Sequence, residues 1–262
     1  MPAADVRLLL WLLKLGAPLN LWFLLLSFET PAAQLSPAIL LPARILFFVS
    51  AWRCLFPNRY EGNIVLHRTP LSSALMTRIL ATFAEVAWIG QFAWLLHLFN
   101  TGHLGWINAV AVFMVVQVIA SQGFVWAALL TGRRSLYVFE ELGWFLIFVG
   151  NTAASLALRV TADPSDGAAL LLNLNLIFGA FYLPWQVLHL RALRANAQAT
   201  NAPPEGDAAA PGNRLARLWR DMTPSTRATD WGGTIGIVWM TAYWALLIPP
   251  WIFVVISTLG RH

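Results

Sequence analysis

Residues 105–134, GWINAVAVFMVVQVIASQGFVWAALLTGRR, decide how this chain is read. The run Gly105–Leu130 carries no charged side chain, and it stops at Thr131-Gly132, just before Arg133 and Arg134. A helix rising ~1.5 Å per residue needs ~20 apolar residues to cross ~30 Å of hydrocarbon, and this run is longer than that. Comparable runs lie near Leu8–Phe28, Pro37–Phe56, Ile79–Phe99, Leu136–Leu158, Ala168–Leu190 and Gly232–Leu259. The chain therefore reads as all-α, a polytopic integral membrane protein forming one bundle of seven transmembrane helices. Its composition agrees: 58% of the 262 residues are hydrophobic and 11% charged, against ~25% charged in soluble domains.

Arginine fixes a direction. The gap after the second run holds Arg59, Arg68 and Arg78, and the gap after the fourth holds Arg133 and Arg134. Six more arginines lie between Arg191 and Arg227, after the sixth run. Lys and Arg concentrate in cytoplasmic loops, which puts the N-terminus inside, the C-terminus outside, and the protein in a cell membrane, as in a bacterial inner membrane. A competing reading takes the first run as a secretory signal, since Arg7 precedes it and Ala32-Ala33 offers small residues, although Lys14 interrupts it. The net charge of +5 sits at span ends, where it meets anionic headgroups, so nucleic acid is not expected as a partner. The bilayer itself is the expected partner. Cys54 is the only cysteine, which excludes an internal disulfide.

Residues 191–231 read as a flexible basic cytoplasmic loop, Ala-, Pro- and Asn-rich over Asn196–Gly212. Within it, Leu215, Leu218, Trp219 and Met222 recur at helical spacing with Arg214, Arg217 and Arg220 off the stripe, the pattern of a short interfacial helix. Trp106, Trp185 and Trp231 fall near span ends, as an aromatic belt places them.

Ionisable groups inside hydrocarbon cost several kcal/mol, so they mark where function is sought. Glu85 lies in the third run with Arg78 and Thr82 on its helical face. Glu140 and Glu141 open the fifth, and the sixth carries a stripe of Asn175, Gly179, Tyr182, Gln186 and His189, spaced by threes and fours. Glu85, Ser121, Glu140, Tyr182, Gln186 and His189 fall at one depth in the inner half of the bundle. The expected site has Glu85, Glu140, Glu141 and His189 as catalytic acid/base groups, with Arg78, Ser121, Tyr182, Gln186, Trp88 and Trp144 holding a lipid or other amphipathic substrate. No metal ligand set is assigned, and no cofactor. Arg44 lacks an acidic partner at its depth and is expected to snorkel outward. Lys14 is expected near the inner interface, with Gly16 and Pro18 bending its helix, and Pro249-Pro250 should interrupt the last span.

Residues 140–144, Glu-Glu-Leu-Gly-Trp, resemble the opening of the paired-glutamate motif in CAAX-type intramembrane proteases, which implies a water-activating first glutamate. The arginine expected after Trp144 is Phe145, and that family's later histidine motifs have no counterpart here. Seven spans with the N-terminus inside resemble the superfamily of alkaline ceramidases and progestin/adiponectin receptors. The two histidines of its last span are absent, so its zinc chemistry does not carry over. The retinal-binding lysine of rhodopsins is missing too, since Lys14 is the only lysine. The expectation is a membrane-embedded enzyme modifying a lipid or amphipathic substrate. A small proton-linked transporter and a membrane scaffold stand as alternatives.

Overall fold

The computed structural model describes residues 5–29, 35–60, 62–162, 164–199, 211–233, 236–237 and 242–260. Among these the chain is helical apart from three two-residue strands, and six helical stretches are long and apolar enough to cross a membrane. They are Arg7–Glu29, Pro37–Leu55, Ala74–Phe99, Gly105–Thr131, Ser135–Thr161 and Asp166–Ala195. Six candidate spans make a multi-pass membrane protein the reading of this fold. The last apolar run contributes a shorter apolar stretch, Tyr243–Leu259. Two compact units divide the chain inside the third of these stretches: Met1–Ala87 with Leu215–His262, and Trp88–Arg214.

In the first unit, α1 (Arg7–Leu13) and α2 (Gly16–Glu29) are separated by a turn at Lys14-Leu15, the bend expected beside Gly16. Helix α2 packs along α3 (Pro37–Leu55). Lipid offers apolar side chains no transfer gain, so close backbone approach has to supply the contact energy. A Cβ at Gly16 would stand 2.9 Å from Cys54 Sγ, which shows how tightly α2 enters against α3. Arg44 reaches α2: its Nη2 donates to Ser27 O at 2.8 Å, satisfying a carbonyl in the last turn of that helix. After a π-helical segment (Ala242–Leu247), Pro249 and Pro250 open α9 (Ile248–Leu259), so the interruption falls where those missing N–H donors put it.

A polar cap between α3 and α4 (Ala74–Phe99) was not foreseen. Strands β1 (Asn58–Arg59) and β2 (Ile64–Val65) form a hairpin, and β3 (Thr223–Pro224) joins β2 in parallel. Asn63 is its hub, in the left-handed conformation at φ 51° that asparagine tolerates. Its Oδ1 accepts from Asn58 Nδ2 at 2.9 Å and from Ala74 N at 2.9 Å, while its Nδ2 donates to Leu218 O at 3.0 Å. The hairpin thereby caps both the start of α4 and the end of α8 (Pro211–Arg220). Because α4 begins at Ala74, Arg78, expected in the gap, lies inside the helix.

Trp231 belongs to this cap and not to a belt. It is 1% exposed, packs with Leu10 and Ile237, and donates from Nε1 to Ser225 O at 2.9 Å. Of the expected flexible loop 191–231, the described residues hold the end of α7 (Asp166–Ala199), α8 and β3. At ~1.5 Å per residue α7 outruns the hydrocarbon thickness by several turns, which explains why helix continues where a loop was expected. Most of the Asn196–Gly212 linker lies outside the described residues. On α8, Leu215 and Leu218 are half-buried, and Trp219, 37% exposed, keeps the apolar stripe open.

The second unit contains the C-terminal half of α4, then α5 (Gly105–Thr131), α6 (Ser135–Thr161) and α7. Helix α6 packs against both α5 and α7. Gly132, at φ 72°, ends α5 in the left-handed C-cap conformation that favours glycine. A Cβ at Gly143 would collide with Ser121 Oγ, and one at Gly179 with Thr152 Oγ1, so glycine lets α6 approach each neighbour.

Candidate functional site

Glu85 and Arg78 belong to the first unit. Arg78 is 1% exposed, and its Nη2 lies 2.8 Å from Glu85 Oε2, a direct ion pair reaching across two turns of α4. Thr82, on the same face, donates to Arg78 O at 2.9 Å. Glu85 is thus engaged on its own helix, and it lies in a different unit from Glu140 and Glu141.

The remaining expected residues lie in the second unit, in three groups. Ser121, fully buried, donates to Glu140 O at 3.3 Å, where the glycine at 143 brings α5 and α6 together. Glu140 is itself buried on that face of α6.

The second group centres on Glu141. Gln186 of α7 donates from Nε2 to Glu141 Oε2 at 2.7 Å and to the backbone carbonyl Glu141 O at 2.8 Å, so one amide ties the carboxylate to its own main chain. The other carboxylate oxygen, Oε1, faces His189 Nε2 at 3.7 Å, longer than a hydrogen bond and within ion-pair range. Gln186 and His189 meet one carboxylate because residues three apart on a helix share a face. Glu141 and His189 keep side-chain exposures of 23% and 32%, so a substrate can reach this dyad.

The third group is aromatic. Phe148, 1% exposed, meets five rings: Trp88 at 5.8 Å, Phe92 at 5.9 Å, Trp144 at 6.2 Å, Phe178 at 5.0 Å and Tyr182 at 4.7 Å between centroids. Trp185 bridges the polar and aromatic groups: its ring lies 5.7 Å from Tyr182 and is stacked on His189 at 4.9 Å. Phe148 and Phe178 were missed by sequence reasoning. The signal was present in the four-residue spacings Trp144/Phe148 and Phe178/Tyr182, which put paired rings on one face of each helix.

In this arrangement a carboxylate faces an imidazole, an amide holds the carboxylate, and the Trp185 ring stacks on the imidazole. Such a dyad can accept and return a proton. Among the described residues, no group of three His, Cys, Asp or Glu side chains is placed to hold a metal ion. No family model, curated protein or solved structure matches this chain.

Proposed function

We propose that this protein is a seven-span enzyme of a cell membrane, with its N-terminus cytoplasmic and its C-terminus outside, acting by acid/base chemistry on a lipid or other amphipathic substrate. One observation carries the reading: the part-exposed Glu141–His189 dyad, held by Gln186 and flanked by the Trp185 and Tyr182 rings. His189 turns Nε2 toward the carboxylate, which leaves Nδ1 as the position that takes a proton from a hydroxyl or water nucleophile and returns it to the leaving group. Catalytic contacts are commonly long before substrate binds, so 3.7 Å suits a dyad that tightens on binding.

Gln186 acts as a positioning residue for Glu141, in place of the headgroup contact expected of it. Trp88, Trp144 and Tyr182 supply apolar surface for an acyl or prenyl chain. Glu140 and Ser121 hold α5 against α6 behind the dyad. Glu85, paired with Arg78, takes no proton-carrying role in this scheme.

The test compares membrane lipid composition in cells lacking the gene and in cells complemented with wild-type, His189→Asn or Glu141→Gln protein made at equal levels. Both variants should reproduce the profile of the deletion. If they restore the wild-type profile, the dyad is not a catalytic site.

A further inference from the structure

Arg53 stands in the last turn of α3 and is 7% exposed. Its Nη1 donates to Asn58 O at 3.2 Å, and its guanidinium carbon lies 5.2 Å from the Trp244 ring centre. Among the described residues no other contact holds it. Nε is buried without a hydrogen-bond partner, and among the described residues no hydrogen bond engages Nη2 and no ion pair includes Arg53. A guanidinium has five N–H donors and stays charged, so one bond to a carbonyl leaves both its charge and its better edge unsatisfied.

The surroundings deepen the imbalance. Arg53 feels the repulsion of Arg78 and the attraction of Glu85, so two buried guanidiniums share this region with one described carboxylate, already bonded to Arg78. The Asn58 carbonyl that takes Nη1 is itself fixed, because the Asn58 amide donates to Asn63 Oδ1 at 2.9 Å and to Ser72 O at 2.7 Å. Arg53 is thereby turned so that its Nε–Nη2 edge is the one left without a hydrogen bond among the described residues. That edge is the fork that binds a phosphate or carboxylate through two parallel N–H bonds.

A buried cation with no anion paired to it among the described residues is strongly disfavoured until one meets it. Its place in the last turn of α3, within a turn of the end of a candidate span at Leu55, is headgroup depth and not mid-bilayer. We infer that the Nε–Nη2 edge of Arg53, with the charge of Arg78 behind it, binds the phosphate group of an anionic headgroup. The same chemistry would take inorganic phosphate, so the source is for experiment to separate. The inference is independent of the Glu141–His189 dyad, which lies in the other unit.

The test uses the full-length protein, purified and stripped of lipid in detergent. Its thermal unfolding is followed with added phosphatidylglycerol, with inorganic phosphate, and with chloride at matched ionic strength. Wild-type protein should show a saturable upward shift with phosphatidylglycerol, inorganic phosphate or both, and none with chloride. A shift with lipid alone assigns the site to a headgroup; a shift with inorganic phosphate assigns it to the phosphate group itself. Arg53→Lys, which keeps the charge and loses the fork, should weaken the half-saturating concentration tenfold or more, and Arg53→Gln should abolish the shift. Equal responses to chloride and phosphate in wild-type protein overturn the inference without any variant, as does unchanged affinity in Arg53→Lys.

Discussion

Arg78 and Glu85 are seven residues apart on one helix, and their side chains meet at 2.8 Å in a pair of which the arginine is almost wholly buried. Removing one partner of such a pair strands the other charge, a loss on the order of 3 kcal/mol, whereas replacing both with apolar groups is near neutral. Glu85→Leu should therefore lower stability by about that amount, and Arg78→Met with Glu85→Leu should recover most of it. Denaturation in detergent followed by tryptophan fluorescence measures both. Equal stability of Glu85→Leu and wild type would show that the pair is incidental.

Asn63 combines a left-handed backbone with bonds to the hairpin, to α4 and to α8. Asn63→Gly keeps the backbone and loses the bonds, costing about 2 kcal/mol; Asn63→Ala also strains the backbone and should cost about 1 kcal/mol more. Both should speed proteolytic cleavage around residues 211–220, alanine more than glycine. Cleavage at the wild-type rate would mean that Asn63 does not hold α8 in place.

The pH response of the cap follows from His67. Its Nε2 lies 2.7 Å from Lys14 Nζ, and burial, aided by the lysine charge, holds its pKa below the ordinary 6.5. A base whose folded pKa is depressed binds fewer protons folded than unfolded. Its contribution is therefore complete above pH 6.5 and shrinks as the pH falls below that value. Ring-nitrogen NMR should place the His67 midpoint below 6.5 and move it upward in Lys14→Gln. A wild-type midpoint at or above 6.5 contradicts the contact.

Direction across the membrane is open to labelling. In a variant with Cys54 replaced by serine, a cysteine at the exposed Arg133 should react only with reagents that enter the cytoplasm, and one at the exposed Thr101 should react in intact cells. The reverse pattern inverts the topology and moves the Glu141–His189 dyad to the outer face.

The apolar runs made the candidate spans legible, because a helix in hydrocarbon must satisfy its backbone internally and so needs little beyond length and apolarity. The α7 stripe was legible for a related reason: Gln186 and His189 share a face by spacing alone, whereas the Glu141 contact of Gln186 was not, since a headgroup was expected there. The polar cap was not legible. Asn63 reaches Leu218 and Arg59 reaches Asp230 through backbone carbonyls, which leave no mark in the pattern of side chains. Arg53 was visible only as a charge near a span end. What singles it out is an unused edge, and that depends on where Asn58 points its carbonyl.

The most direct test of the dyad is turnover in a defined membrane. Wild-type protein, Glu141→Gln and His189→Asn are reconstituted into vesicles of the host's total lipid extract, and the lipid species are quantified over time by mass spectrometry. Wild-type vesicles should lose at least one species and gain a product, with the rate in both variants down a hundredfold or more, as removal of a general acid/base predicts. Equal rates in all three, or no change in any species with fully folded wild-type protein, would contradict an enzymatic Glu141–His189 site.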